Sequence, residues 1–542
     1  MTNQHLHMIL SLLPWVILLV TMLVLEWVLD PHETGGDLTN WTMCVGTSVV
    51  CVALLLWQPK QVPASHDGPP TAAVPKDVDK DNTMNYNIKD VEQGPDKPVV
   101  STNANRAFLP EQSKPQGENQ QRLYFLDNLK VFLTFLVVCH HVNCAFGTSR
   151  DYPLVVGQGR PISDMFSGVL RVWNVLNEGF FMPLFFFVSA YFTPASLARK
   201  GLLVFWQDKS RRLWMPAIFV TLFLYPMLVR YAQEFAQNEN EGYAPDAGQT
   251  WFLYWLLVLN LVYGHVMSGY VPQHEKTLEA NEETHNADQV DRVDEQDGNN
   301  DASCWLRFVH RLFSLQTIPH PVVRWTVGAV VGGLAQWGVR QLVDSQSFGA
   351  MPTGRSGLTC NILLFGCGIL AKHFDWFGTN RPLRTQIGMN IWLLRFAVVV
   401  EAFLLSYIFI FADTKTDASF MGGYVVSGVY CIDMSLVMLD FFQQNLDFQV
   451  GPLRFLSQAA YGVYVFHPFF VIMLTSLFVH VYEKSQDEEL VFYEVDGDMV
   501  SWTPIDTKWL GVGWMLVLVA CHLMVWPFAW TIRRLPGLRR VL

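Results

Sequence analysis

A lysine and a histidine in one apolar segment are the first candidates for chemistry. Residues 125–146, FLDNLKVFLTFLVVCHHVNCAF, are mostly apolar and have the ~20-residue length of a membrane-spanning helix. Asp127 and Lys130 stand at the start, and His140 and His141 lie deep within it. At about 100° per residue, Lys130 and His141 share one face, roughly 16 Å apart along the helix axis. Ionisable groups are costly in hydrocarbon, so this face predicts a functional helix.

General base catalysis by a histidine is the chemistry that these residues favour. A neutral imidazole near pH 7 can remove the proton from a hydroxyl that attacks an activated ester. His140 points about 80° away from the shared face. The sequence has no Gly-rich phosphate loop, nucleophile elbow or zinc signature, so a covalent Ser or Cys mechanism is not indicated.

Other polar residues at or inside apolar segments have two interpretations each. Glu178 precedes the aromatic segment FFMPLFFFVSAYF, which is also typical of a tightly packed helix. His467 is a second histidine in apolar sequence, but a histidine before Pro468 can simply bond a carbonyl that the proline leaves free. Arg211 and Arg212, in SRRLWMP, favour an orientation anchor and would also suit a phosphate-bearing cofactor.

Four further ionisable residues fall inside predicted spans. They are Arg395, Glu401, Asp433 and Asp440. Arg395 and Glu401 are six residues apart, a spacing that does not favour pairing on one helix. Asp433 lies at the middle of its span and is the more interesting candidate.

Composition indicates a polytopic membrane protein. The 542 residues are 51% hydrophobic and only 16% charged, whereas soluble domains average about a quarter charged. The net charge of −11 and the absence of a basic, aromatic patch argue against nucleic-acid binding. None of the nine cysteines forms a pair with metal-ligand spacing, so we interpret them as packing residues.

The chain divides into a membrane hairpin, a linker, a membrane domain and a tail. Residues 1–57 hold two apolar segments, and residues 58–121 have the polar composition of a disordered linker. The membrane domain, residues 122–535, carries a second polar insert at 271–303, and residues 536–542 form a basic tail. Its predicted spans are 124–146, 175–194, 213–232, 250–269, 321–343, 357–371, 388–411, 419–442, 459–480 and 509–530.

Lysine and arginine placement predicts the orientation. Loops 195–212 and 372–387 contain both lysine and arginine and the C-terminal tail contains four arginines, whereas loop 233–249 has neither residue. Loop 147–174, with three arginines, is the exception. The positive-inside rule then places both termini in the cytosol, with twelve spans in an all-α membrane protein.

Four sequence blocks resemble the acyltransferase-3 family of integral membrane acyltransferases. In family order they are FLDNLKVFLTFLVVCHH, FFMPLFFFVSAYF with SRRLWMP behind it, TWFLYWLL and LRFLSQAAYGVYVFHPFF. The resemblance covers residues 122–535 and is closest to the branch around glucan biosynthesis protein C. The family hallmark is an arginine followed, after ten intervening residues, by a histidine. Here Lys130 and His141 occupy those positions. The compact ammonium charge of lysine therefore replaces the guanidinium group of arginine, which can form two parallel hydrogen bonds.

The resemblance implies transfer of an acyl group, often acetyl or succinyl, from acyl-coenzyme A to a hydroxyl of a carbohydrate or glycolipid. It implies catalytic roles for His141 and Lys130, and no metal or prosthetic group. Arg211 and Arg212 become candidates for the donor phosphates, and Asp127, Glu178 and His467 for the cavity wall. Two alternatives stay open: a twelve-span secondary transporter, although the two halves show no repeat, and a family member that binds acyl-coenzyme A without turnover.

Overall fold

The computed structural model describes residues 122–148, 152–156, 165–236, 246–268, 321–342, 347–348, 351–352, 357–378, 383–411, 417–487, 490–495, 498–501, 505–536 and 538–541. The predicted hairpin 1–57, the linker 58–121 and the insert 271–303 lie outside these residues. The predicted basic tail lies partly within them and includes a short 3₁₀ helix, Leu538–Arg540.

The described part of the chain is mostly helical. Its α-helices are α1 Tyr124–Asn143, α2 Met165–Glu178, α3 Phe181–Tyr191, α4 Thr193–Lys209, α5 Met215–Phe219, α6 Tyr225–Phe235, α7 Trp251–Ser268, α8 Pro321–Leu342, α9 Leu358–His373, α10 Leu383–Ile387, α11 Ile391–Phe411, α12 Asp417–Asn445, α13 Gly451–Gln486 and α14 Thr507–Ile532. Its strands are β1 Leu154–Val155, β2 Ser347–Phe348, β3 Met351–Pro352, β4 Phe492–Val495 and β5 Asp498–Ser501.

Each of the ten predicted spans of the membrane domain corresponds to helical structure, and eight helical segments among the described residues are long and apolar enough to cross a membrane. The protein is therefore an integral membrane protein. The two other segments are α8 and α9. Glycine, glutamine and two arginines lower the hydropathy of α8. Helix α9 has 16 residues, and about 24 Å of helix is shorter than a ~30 Å hydrocarbon core.

One segment, Thr193–Phe235, runs from α4 to α6 through two π-helical turns. These turns are Ser210–Trp214 and Val220–Leu224. π-Helical turns are rare in proteins overall, and those that occur are often found at functional sites.

Glycines allow α8 and α12 to approach closely. A Cβ atom at Gly333 would lie 2.5 Å from the Tyr424 carbonyl oxygen, and one at Gly428 would lie 2.6 Å from that of Ala329. No real side chain tolerates these distances, so the two backbones touch only because both positions are glycine.

Helix α1 is anchored at its start by polar contacts with the connection between α12 and α13. The Asn128 side-chain amide donates to the Leu446 and Phe448 carbonyls at 2.7 and 2.8 Å. The Phe125 backbone N–H donates to the Asp447 carboxylate at 3.0 Å. Because α1 also packs along α13 and α14, these bonds fix its axial position and thereby that of His141.

A small sheet lies beyond the other end of α1. Strand β5 pairs in parallel with β1 and antiparallel with β4, so the α1–α2 and α13–α14 connections are joined. The Val156 N–H also donates to the Ala145 carbonyl at 2.8 Å. The sheet thus forms a cap over the end of α1 that carries the histidines.

Ionisable side chains in the spans pair between helices. Asp440 is fully buried; its carboxylate lies 2.6 Å from Arg384 and 3.7 Å from Arg395. Glu401 on α11 lies close enough to Asp433 on α12 for the two carboxyl groups to interact. The six described cysteines are all buried, and none of them forms a disulfide with another described residue.

Candidate active site

His141 has a hydrogen-bonding pattern suited to a base. Its Nδ1 atom lies 2.9 Å from the Val137 carbonyl oxygen. A carbonyl oxygen only accepts, so Nδ1 carries the proton and Nε2 holds the lone pair. Within the part of the chain that the structure describes, Nε2 has no hydrogen-bond partner. The half-buried imidazole can therefore accept a proton from a bound molecule.

His467 adopts the same tautomer as His141 because of the proline that follows it in the sequence. Pro468 has no backbone N–H, so the Tyr464 carbonyl lacks its usual helical donor. The His467 Nδ1–H donates to that carbonyl at 2.8 Å and to the Val463 carbonyl at 3.2 Å. Its Nε2 atom is buried and unpartnered among the described residues.

The two histidines lie side by side although they are on different helices. Their ring centroids are 4.7 Å apart, with the ring planes at 75°. The structural and the functional interpretation of His467 are therefore compatible. Its Nδ1–H donates to the carbonyl that Pro468 leaves without a donor, and this bond directs the Nε2 lone pair away from the backbone.

Glu178 contacts the neighbouring histidine and not His141. Its carboxylate lies 3.3 Å from His140 Nε2, and 60% of its side chain is exposed. The His140 ring centroid is 5.2 Å from that of His141. Sequence reasoning gave no role to the His140 face. The acidic residue that begins the following span was the available signal.

Tyr152 is a site residue that sequence reasoning missed. It lies just before β1, is 1% exposed, and its ring centroid is 5.8 Å from that of His141. Its hydroxyl is buried without a hydrogen-bond partner among the described residues. Burial raises the pKa of Tyr152 well above its usual value, so the phenol stays neutral. A residue in a short loop has no periodicity that would reveal it.

Lys130 lies at the opposite end of the α1 face from His141. Its Nζ atom is 2.7 Å from the Asp127 carboxylate and 5.5 Å from the centroid of the Phe192 ring. Eleven residues of helix separate the lysine and the histidine by about 16 Å along the axis. The two residues therefore share a face, but they are too far apart to contact the same reacting atoms.

Comparison with known families identifies the chain. The family model of the acyltransferase-3 domain, described as an acyltransferase domain, matches residues 123–523. The chain belongs to the acyltransferase-3 family. Membership implies acyltransferase activity, and the matched region includes every candidate residue named above. Neither the comparison with curated proteins nor that with solved structures gives a match.

In this acyltransferase, the arginine pair sits in the first π-helical turn of the Thr193–Phe235 segment. Pro216 lacks the N–H that would bond the Arg212 carbonyl, and the Tyr461 hydroxyl of α13 donates to that carbonyl instead. The turn is thus attached to α13 six residues before His467, about 9 Å along the helix.

The same turn is part of a charged cluster. The Arg212 guanidinium lies 3.3 Å from Asp208, and Lys200 lies 2.7 Å from the same carboxylate. Arg211 is exposed. The Arg212 backbone carbonyl therefore attaches this turn to α13, and the side chains of Arg211 and Arg212 contribute to a basic surface. No three His, Cys, Asp or Glu side chains in the described ranges are placed to hold a metal ion.

Proposed function

We propose that this protein transfers an acyl group from acyl-coenzyme A to a hydroxyl group, with His141 as the general base. The observation that carries the proposal is the free Nε2 lone pair of His141, half-buried beside His467 inside an acyltransferase domain. A histidine is a suitable base at neutral pH because its neutral form is the one that accepts protons.

The proposed donor lies along the α1 face. A coenzyme A ester carries its phosphates and its thioester at opposite ends of a long pantetheine arm. Lys130 and His141 are about 16 Å apart on one face, so the phosphate end can lie near Lys130 while the thioester lies near His141. Arg211 and Arg212 would add further cationic partners for phosphate. Asp127, which is paired with Lys130, would hold the lysine in place.

The proposed reaction needs no covalent enzyme intermediate. The acceptor oxygen attacks the thioester carbonyl carbon while His141 Nε2 takes the hydroxyl proton. The tetrahedral intermediate then expels the thiolate, the C–S bond breaks, and the proton passes from the imidazolium to sulfur. His467 Nε2, an acceptor beside the imidazolium, would stabilise the charge during this step.

The proposed acceptor is a hydroxyl of a carbohydrate or glycolipid, and the acyl group is acetyl or succinyl. This follows the sequence resemblance to the branch around glucan biosynthesis protein C. With both termini in the cytosol, the Lys130 end of α1 would face the cytosolic pool of acyl-coenzyme A.

The test uses the full-length protein in lipid nanodiscs. Release of free coenzyme A from acetyl- or succinyl-coenzyme A is followed with a thiol reagent, and acceptors are examined by mass spectrometry for the added acyl mass. His141→Ala should abolish transfer without changing insertion or thermal stability. His480→Ala, which alters an exposed histidine on α13, is the matched control. A normal transfer rate in His141→Ala would refute the role of His141.

The lysine at position 130 supports one alternative, a protein that binds acyl-coenzyme A without turnover. Lysine lacks the bidentate fork of the family arginine. Tight binding of radiolabelled acetyl-coenzyme A without release of coenzyme A, in the presence of cell-derived glycans and lipids, would favour this alternative.

A further inference from the structure

Two aromatic rings lie together where α13 begins and α14 ends. The Phe455 and Trp530 ring centroids are 5.4 Å apart, and both rings are partly buried. The spanning segment of α13 begins at Gly451 and that of α14 ends at Ile532, so this contact lies at one edge of the membrane. Partly buried aromatic rings at this depth are typical of the boundary between the hydrocarbon and the lipid headgroups.

Two arginines follow α14 directly and lie against this aromatic pair. The Arg533 guanidinium donates from Nη1 to the Gln458 carbonyl of α13 at 2.7 Å. The Arg534 guanidinium lies over the Trp530 ring, 3.3 Å from its centroid. Both contacts are made within one turn of the aromatic pair, so the end of α14 holds two cations beside it.

A third arginine, Arg454, lies on the same part of α13. It comes four residues before Gln458, a spacing that places two residues on one face of a helix. Arg454 and Arg534 are exposed, and Arg533 is partly buried. These three residues, Arg454, Arg533 and Arg534, are called the arginine cluster below.

The charge of the arginine cluster is not neutralised within the part of the chain that the structure describes. None of its three guanidinium groups forms an ion pair with an acidic side chain there. By contrast, Arg212 is paired with Asp208, and Arg384 is paired with Asp440. The cluster is therefore a cationic surface that is open to an anion.

Neighbouring cations increase the positive potential at this surface. Arg539 is exposed in the short 3₁₀ helix that follows α14, and Arg212 lies in the π-helical turn that is attached to Tyr461, one turn after Gln458. Burial lowers the pKa of Arg533, and the positive charges of Arg212 and Arg539 lower it further. A bound anion would relieve this repulsion between like charges.

The surroundings of the cluster favour a phospholipid over a soluble anion. Guanidinium groups bind phosphate through two parallel hydrogen bonds. Leu535 and Leu538 follow the cluster and are 48% and 37% exposed, and apolar side chains interleaved with basic ones are typical of a segment that lies in the membrane interface. A soluble phosphate would contact the arginines alone. A phospholipid would also cover the aromatic rings and the leucines.

We propose that the arginine cluster binds the headgroup phosphate of an anionic phospholipid, whose glycerol and acyl chains lie along Phe455 and Trp530. A zwitterionic headgroup carries its own cation and would leave the arginines uncompensated, so the site selects a headgroup with a net negative charge. Arg533 and Arg534 follow the residues that match the family model, 123–523. The inference does not depend on the proposed acyl transfer.

The first test counts bound lipid by native mass spectrometry of the full-length protein in detergent. The probes are phosphatidylglycerol and phosphatidylcholine with the same acyl chains, and phosphatidylglycerol should bind more tightly. Arg533→Gln and Arg534→Gln should each weaken its binding roughly fivefold, the factor that one basic residue contributes near anionic lipid. Arg230→Gln is the matched control, because Arg230 is an arginine near the end of α6 whose charge is paired with Glu234. It should leave the binding unchanged.

The second test separates lipid binding from packing of α13 against α14. Replacing phosphatidylcholine by phosphatidylglycerol in nanodiscs should raise the Tm of the wild type, because a ligand that binds only the folded protein stabilises it. The rise should be smaller for the double variant Arg533→Gln/Arg534→Gln. If the double variant has a lower Tm in both bilayers and an unchanged rise, the two arginines only hold the helices together, and the proposal is overturned.

Competition distinguishes the phospholipid from a soluble phosphate. Neither coenzyme A nor inorganic phosphate should displace phosphatidylglycerol from the wild type. Displacement by either one would assign the arginine cluster to a soluble anion and overturn the proposal. Equal binding of phosphatidylcholine and phosphatidylglycerol would also overturn it, since the arginines would then act only as an orientation anchor. These measurements need no turnover, so a failure of the proposed acyl transfer would leave their outcome unaffected.

Discussion

Replacing Pro468 by alanine should make the protein more stable and less active. Proline in a helix interior costs about 3 kcal/mol relative to alanine, partly because it leaves one carbonyl without its donor. Here the Tyr464 carbonyl is already bonded by His467 Nδ1–H at 2.8 Å. This bond recovers about 1 kcal/mol, so Pro468→Ala should raise the free energy of unfolding by roughly 1–2 kcal/mol.

The activity change follows from competition for the same carbonyl. In Pro468→Ala the new N–H bonds to Tyr464, and His467 keeps only its longer contact of 3.2 Å with Val463. The loss of this hydrogen bond removes about 1 kcal/mol of the preference of His467 for the tautomer that is protonated at Nδ1 and has its lone pair at Nε2. We expect kcat to fall about fivefold, since 1.4 kcal/mol corresponds to a factor of about ten.

The measurements are thermal unfolding in nanodiscs and the release of coenzyme A from acetyl-coenzyme A. Pro527→Ala is the matched control, because Pro527 also lies inside a spanning helix, α14. It should raise stability without lowering kcat. If Pro468→Ala gains stability and retains full kcat, the bond from His467 to the freed carbonyl has no part in catalysis.

Three further predictions concern other parts of the fold. Lys130→Ala should raise the KM for acyl-coenzyme A severalfold and leave kcat nearly unchanged, because about 16 Å of helix separates it from the base; steady-state kinetics will show a fall in kcat if this is wrong. Gly428→Leu should prevent close packing against Ala329 and lower the Tm sharply, whereas Gly422→Ala, with no atom within 4 Å of the new Cβ, should not. Asp440→Asn should cost about 3–5 kcal/mol, since it leaves a buried arginine without its counter-charge; an unchanged unfolding midpoint would contradict the pairing.

Sequence periodicity was sufficient to predict the helices and one face of the site. The helical period placed Lys130 and His141 on the same side of α1, and hydropathy located the spans because hydrocarbon requires long apolar helices. The proline after His467 predicted its bond to a freed carbonyl. Each of these inferences depends on neighbours along the chain.

Contacts between distant segments could not be predicted in this way. Tyr152 lies in a connection whose position depends on the pairing of β1 with β5. The partner of Arg395 is Asp440 on α12, and helix spacing could only show that it is not Glu401. Glu178 was predicted to be a site residue, but its contact with His140 depends on how α1 and α2 pack.

The π-helical turn at Ser210–Trp214 has a consequence for the evolution of the family. A π-helical turn holds one more residue than an α-helical turn, so a relative that lacks one residue here can close an α-helical turn and keep both flanking helices in place. The donation from Tyr461 to the Arg212 carbonyl would then be lost, or would pass to another residue. An alignment of relatives should therefore show a one-residue gap at this turn. The arginines of different relatives would then reach the same basic surface from positions that differ by about 100° around the helix.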